Sequence, residues 1–287
     1  MEETFQAIQQ AVRKVECSGT TESYVKNSLN DVIGNGVDLI SIRVASPNVD
    51  GCDEDDGSFQ KRVVELTRRI VSLRNEQNQS GQTKMNHNHE SDGRYSFHVV
   101  VNDNIQAAID ADADGVHVKE KDAHEIPNIR RRIIQHRLLS KDQSHDTNEV
   151  VEDRAVLIGT SSHAVSTARS TVRNFQPDYL FVGTCYPTQT HPEKGVEDIE
   201  GPALPGMVVE ALERDTLSGG DGRTVDEGED SSRRSPIVYA IGGIDEYNCR
   251  EPVRKYGANG VAAIRSVMQA EDPGRVVRAM VNRMMEE

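Results

Sequence analysis

Two carboxylates, Asp103 and Asp122, each stand just beyond a short apolar run. Carboxylate oxygens are hard ligands, suited to a Mg2+ ion that keeps several waters and bridges to phosphate. Taken singly, either residue would serve equally as a helix cap or a surface charge. A glycine pair, Gly242-Gly243, follows another apolar run, and Arg265-Ser266 follows the last one. Exposed backbone N–H groups at such a pair, with a short helix beyond the final strand, make a phosphate cradle. The plainer alternative is a tight turn. Between these points lie Ser161-Ser162-His163 and the string from Thr184 to Pro192, which contains Thr188, Gln189, Thr190 and His191. His163 and His191 are candidates for proton transfer, or for holding loops by hydrogen bonds. Together these residues point to the handling of a phosphorylated small molecule with a divalent ion.

The elements that must position them are short runs rich in Val and Ile, each followed by an amphipathic stretch. Strands are expected at Val37–Arg43, Phe97–Val101, Gly115–Val118, Ala155–Gly159, Tyr179–Gly183, Ile237–Ile241 and Gly260–Ile264. Continuous apolar strands are covered on both faces, and strands alternating with helices are parallel β/α units. Helices are expected between them, as in FQKRVVELTRRIVSLRNEQ and IPNIRRRIIQHRLL. A recurring signature precedes several strands: a helix, a glycine, then an acidic residue or Asn, as in NGVDLISI, DADGVHV and YGANGVAAI. The glycine suits a left-handed helix cap. The fold class is therefore α/β, a TIM-type (β/α)8 barrel whose first strand is missing or degenerate. Ahead of Val37 the sequence gives two helices, roughly Glu3–Val15 and Glu22–Ile33, and no strand.

Residues 1–287 are expected to form one barrel domain with polar insertions at about 75–94, 140–154 and 215–235. These stretches hold too few apolar residues to offset the entropy of ordering. Each falls between a helix and the next strand, on the side of a barrel away from its catalytic loops. His87 and His89, in the first insertion, are read as part of a disordered segment.

Composition narrows the partners. The net charge of −14 and an aromatic content of 4% without Trp argue against nucleic acid. No apolar run reaches the length of a membrane span, and the start of the chain lacks an apolar signal core. Four widely separated cysteines (Cys17, Cys52, Cys185, Cys249) without a Cys-x-x-Cys pair suit reduced thiols. The expected location is the cytoplasm, with a plastid left open. Oligomeric state is not legible.

In chain order, GVDLISIR, VVVNDNIQAAIDADADGVHV, IGTSSHAVSTA, DYLFVGTCYPTQTHP and YAIGGI with GANGVAAIRS resemble the thiamine-phosphate synthase family, which includes TenI-like thiazole tautomerases. The similarity runs from about Tyr24 to Met280. It implies a β/α barrel that joins a pyrimidine diphosphate to a thiazole phosphate and releases pyrophosphate. By that resemblance Asp103 and Asp122 would hold Mg2+, Arg43 and Asn102 would contact the diphosphate, and Ser161 would sit beside the pyrimidine. Thr188, Gln189 and Thr190, with Gly242, Gly243, Ile264 and Arg265, would hold the thiazole phosphate. There are departures. Where the family pattern is Gln-x-Arg-x-Lys, this chain has Ser41-Ile42-Arg43-Val44-Ala45. His191 replaces a Lys, and Arg265 replaces a Ser. The acidic stretch DGCDEDDG is read as a solvated loop. Two other readings stay open: a tautomerase, with His191 or His163 moving the proton, and a degenerate barrel that binds a thiamine precursor.

Overall fold

The computed structural model describes residues 37–43, 56–82, 97–143, 155–188, 195–217 and 235–286. Seven strands are present: β1 (Leu39–Ile42), β2 (His98–Asn102), β3 (Gly115–Val118), β4 (Leu157–Ser162), β5 (Tyr179–Val182), β6 (Ile237–Ile241) and β7 (Gly260–Ala262). Their order in the sheet is their order in the chain, and every pair given below is parallel. The intervening helices are α1 (Asp56–Gln82), α2 (Ile105–Asp110), α3 (Ile126–Gln143), α4 (Val165–Phe175), α5 (Leu204–Leu217), α6 (Arg265–Met268) and α7 (Pro273–Met285). Short 3-10 turns at Glu120–Glu125 and Val196–Asp198 and a π turn at Glu251–Lys255 complete the list. This is the expected α/β, TIM-type alternation. The helices expected before Val37, and His87 and His89, lie outside the described residues.

The chain divides into two compact units. The first comprises Met1–His117, Asn128–Leu157 and Ile264–Asn282; the second comprises Val118–Pro127, Ile158–Ala263 and Arg283–Glu287.

In the first unit Ile42 is opposite Val101, and Asn102 is opposite His117. Ile42, Phe97 and Val99 pack with Ile70 and Val71 of α1 into a buried cluster. Burying one such side chain contributes about 1.5–3 kcal/mol. Because side chains alternate along a strand, Asn102 and His117 stand on the face of β2 and β3 turned away from α1. The buried Arg74 of α1 forms an ion pair with the buried Asp114. Asn104 caps α2 by accepting the Ala107 N–H at 2.9 Å. In the second unit Leu180 and Val182 of β5 and Val238 of β6 pack on Ala168 of α4 and on Leu204, Val208 and Leu212 of α5.

The recurring signature before the strands has a structural cause. Asp114 donates its N–H to the Val99 carbonyl (2.7 Å), and its carboxylate accepts the Val99 N–H (2.7 Å). Asp178 does the same with Ile158 (2.8 and 2.6 Å), and Asn259 with Val238 (3.0 and 2.8 Å). A short acceptor side chain thus pairs an N–H at the start of the neighbouring strand, which buried backbone groups require. The glycine was misread in one copy: in DADGVHV the left-handed residue is Asp112 (φ 51). Gly115 opens β3 instead, where a Cβ would lie 1.6 Å from the Leu157 carbonyl oxygen. In YGANGVAAI the expected glycine, Gly257, is left-handed (φ 84).

Several boundaries move. Ala155–Gly159 is too early for the fourth strand, which runs to Ser162 and so contains Ser161. The expected polar insertions begin late, because α1 continues to Gln82, α3 to Gln143 and α5 to Leu217. Glu, Gln, Lys and Asn carry ordinary helix propensities, so a helix held by its apolar face continues through them at little cost.

Candidate functional site

In the second unit the backbone ladder between β5 and β6 continues past both strands. Cys185 donates its N–H to the Ile241 carbonyl (2.9 Å), and Tyr186 donates to that of Gly242 (3.0 Å). Gly242 (φ 97) and Gly243 (φ 66) adopt backbone conformations that L side chains rarely take. A Cβ on Gly242 would lie 2.7 Å from Thr184 Cγ2, and one on Gly243 would lie 2.6 Å from the Pro187 carbonyl oxygen. The glycine pair is therefore pressed against the Thr184–Pro187 stretch. The loop is braced from outside. Asn248 Nδ2 donates to the Gly243 carbonyl (2.9 Å), and the Tyr186 hydroxyl donates to Glu251 Oε2 (3.0 Å). Burial, then Glu251, pushes the Tyr186 phenol well above its usual range. Thr188 is half-buried; Gln189, Thr190 and His191 lie outside the described residues. Burial pushes the Cys185 thiol up to about 12, so it is not a thiolate nucleophile.

The other end of the same loop meets Glu200, which sequence reasoning missed. Its Oε2 accepts the Thr184 N–H at 2.6 Å, while Gly201 donates its N–H to the Thr184 carbonyl at 3.1 Å. Oε1 of Glu200 lies 3.3 Å from Nδ1 of His163. Glu120 Oε1 accepts from the Ser162 hydroxyl (3.2 Å) and from the His163 N–H (3.3 Å). Ser161 is opposite Phe181. Asp122 sits in the 3-10 turn Glu120–Glu125, donating its N–H to the Lys119 carbonyl (2.9 Å).

In the first unit Arg43 directly follows β1, and Asn102 ends β2. Asp103 is left-handed (φ 55) and donates its N–H to the His117 carbonyl (2.8 Å). His117, also missed from sequence, is buried, and its pKa falls to about 4. Burial is the main cause; the Asp103 carboxylate opposes it and the Arg43 guanidinium reinforces it. Both charges are thus close to a neutral imidazole at the carboxyl ends of β1–β3. Ile264 and Arg265 belong to this unit, at the start of the four-residue helix α6 expected after the last strand.

Among the described residues no group of three or more His, Cys, Asp or Glu side chains forms a metal cage. A Mg2+ ion needs none: it binds through one or two carboxylates plus substrate phosphates and retained waters. Asp103, held in a left-handed turn just past a strand end, supplies oxygen donors of that kind. No described helix is long and apolar enough to cross a membrane.

A family model described as thiamine monophosphate synthase (TMP-TENI) matches residues 44–204. The thiamine-phosphate synthase of Shouchella clausii is 26% identical over 258 residues, covering 90% of this chain and 88% of that protein. The thiamine-phosphate synthase of Bacillus velezensis is 30% identical over 179 residues, covering 62% of this chain and 59% of its own length. Among solved structures, a thiamine phosphate pyrophosphorylase from Pyrococcus furiosus superposes with a TM-score of 0.53 at 19% identity, covering 90% of this chain and 88% of that one. The last likeness shows the fold; the family match extends over more than half of the chain. This chain belongs to the thiamine monophosphate synthase family.

Proposed function

We propose that the protein is a thiamine-phosphate synthase, a transferase joining hydroxymethylpyrimidine diphosphate to thiazole phosphate and releasing pyrophosphate. The observation carrying this reading is the charge group at the ends of β1–β3: Asp103 at φ 55, with Arg43 and Asp103 both acting on the buried His117. A tautomerase needs the thiazole phosphate contacts and a proton shuttle, and has no use for an Arg and a carboxylate set to hold a diphosphate and its metal. The curated relatives named above carry the synthase name, which supports the same assignment.

The roles follow from the chemistry of each group. Arg43 and Asn102 would hold the diphosphate, and Arg43 would take up charge as it departs. His117, neutral at pH 7, leaves Arg43 without a second cation as competitor. Asp103 and Asp122 would hold Mg2+, which when bound supplies positive charge against the leaving diphosphate. Ser161 would border the pyrimidine. The backbone N–H groups at Gly242 and Gly243, with Thr188, Gln189, Thr190, Ile264 and Arg265, would fix the thiazole phosphate. The C–O bond breaks with its electron pair staying on the diphosphate, and the thiazole nitrogen donates the pair of the new C–N bond. Both partners must already be oriented for this to be fast. The dispersed cysteines suit a cytoplasmic location.

The test supplies both phosphorylated precursors with Mg2+ and follows pyrophosphate and thiamine phosphate together. Equal release of the two, lost on chelation, is expected. Metal-independent isomerisation of the thiazole alone would replace this reading with the tautomerase. Calorimetric binding of thiazole phosphate without any turnover would leave only a binding barrel.

A further inference from the structure

We propose that Glu200 is a positioning residue that sets the thiazole-phosphate loop and ties it to the end of β4. The inference rests on the synthase reading for the identity of the substrate. Thr184 is the residue at which the loop leaves β5, and both of its main-chain polar groups are taken by one dipeptide. Its N–H goes to Glu200 Oε2 (2.6 Å), and its carbonyl accepts from Gly201 (3.1 Å). A carboxylate acceptor makes this hydrogen bond roughly twice as strong as a neutral one. The Glu200 side chain is only 19% exposed, so water competes poorly for it. Thr184 also touches the glycine pair, since its Cγ2 occupies the space a Gly242 side chain would need. The position of Thr184 therefore governs both the loop leading to Thr188 and the packing of the cradle.

The second carboxylate oxygen faces His163 Nδ1 at 3.3 Å, and the His163 N–H is held by Glu120. His163 directly follows Ser162, the end of β4 and neighbour of Ser161. One side chain thus joins the strand end assigned to the pyrimidine to the loop assigned to the thiazole phosphate. Displacing a binding group by about 1 Å can cost roughly 100-fold in rate, which makes such a tie consequential without contact with substrate.

The experiment measures kcat and both KM values for wild type, Glu200→Gln, Glu200→Ala, His163→Ala and the double variant Glu200→Ala with His163→Ala. Hydrogen–deuterium exchange of the peptide spanning Thr184–Thr188 is followed in parallel. Glu200→Ala is expected to raise the thiazole phosphate KM about tenfold, as loss of one charged hydrogen bond does. The pyrimidine diphosphate KM should stay within about twofold, and the loop peptide should exchange faster. Glu200→Gln keeps an oxygen acceptor for Thr184 and should restore most of the affinity. His163→Ala combined with Glu200→Ala should be no worse than Glu200→Ala alone, because the two act through one contact. Equal rises in both KM values, or unchanged exchange in Glu200→Ala, would overturn the proposal. If wild type makes no thiamine phosphate, the functional reading fails instead, and the exchange data alone still decide whether Glu200 orders the loop.

Discussion

The ends of β5 and β6 and the ends of β1–β3 are built on different principles. Beyond β5 and β6 the surface proposed to bind an anion is backbone: two glycines at positive φ, a ladder prolonged by Cys185 and Tyr186, and braces from Asn248, Glu251 and Glu200. At the ends of β1–β3 it is side-chain charge: Arg43 and Asp103 around the neutral His117. Substitution removes side chains but leaves N–H groups in place. The glycine pair itself is kept, while side chains depart from the family pattern among both sets of residues: His191 and Arg265 among those assigned to the thiazole phosphate, Ser41 and Ala45 in the charge-built region.

The comparison breaks most visibly at Asp103. Asp103→Ala should lower synthase turnover by a factor of roughly 100–1,000, the usual loss for one preorganised electrostatic group. Thiazole phosphate affinity, measured by calorimetry without metal, should stay within about twofold. Equal damage to both would show that the two regions do not divide the substrates. Gly243→Ala is the converse. Its left-handed backbone costs a non-glycine residue about 1–3 kcal/mol, and the new methyl meets the Tyr186 and Pro187 carbonyls. Stability in urea should fall by that order, and thiazole phosphate should bind at least about tenfold more weakly, while pyrimidine diphosphate binding persists. A Gly243→Ala protein with normal thiazole phosphate affinity would remove the glycine pair from the site.

The same contrast explains what was legible in the sequence. The strand runs, the glycine pair and Asp103 were readable because each is a local pattern: apolar continuity, a turn that needs Gly, a carboxylate just past a strand. His117 and Glu200 were not. His117 becomes interesting only when register puts it opposite Asn102 and burial removes its charge. Glu200 lies between a 3-10 turn and α5, and only tertiary structure brings it to Thr184. Ser161 was taken for a loop residue because Thr160-Ser161-Ser162 looks polar, yet Thr160 and Ser162 are buried inside β4. The ends of α1, α3 and α5 were cut short for the opposite reason, since polar composition was weighed above helix propensity, and in α1 the helix runs even through Gly81. The Asp and Asn residues before the strands were seen as a repeat, but their use in pairing a neighbouring strand's N–H required coordinates.

The smallest predicted effect probes the charge-built region through its neutral member. His117 has its folded pKa lowered to about 4 from 6.5, chiefly by burial. A lowered imidazole pKa means that the unfolded chain binds the proton more readily, so the folded state is favoured at higher pH. The contribution of His117 is complete above about pH 6.5 and is lost as pH falls toward the folded value. The slope approaches about 1.4 kcal/mol per pH unit. Between pH 6.5 and 5, above most carboxylate titration, metal-free wild type should therefore lose on the order of 2 kcal/mol. His117→Gln cannot titrate and should give a flatter urea-midpoint profile over that window. Substitutions beside Gly242 and Gly243 should leave the wild-type slope intact, because that region holds no buried imidazole among its described residues. Equal slopes in wild type and His117→Gln would mean that the imidazole is already solvated, and that burial does not keep it neutral beside Arg43 and Asp103.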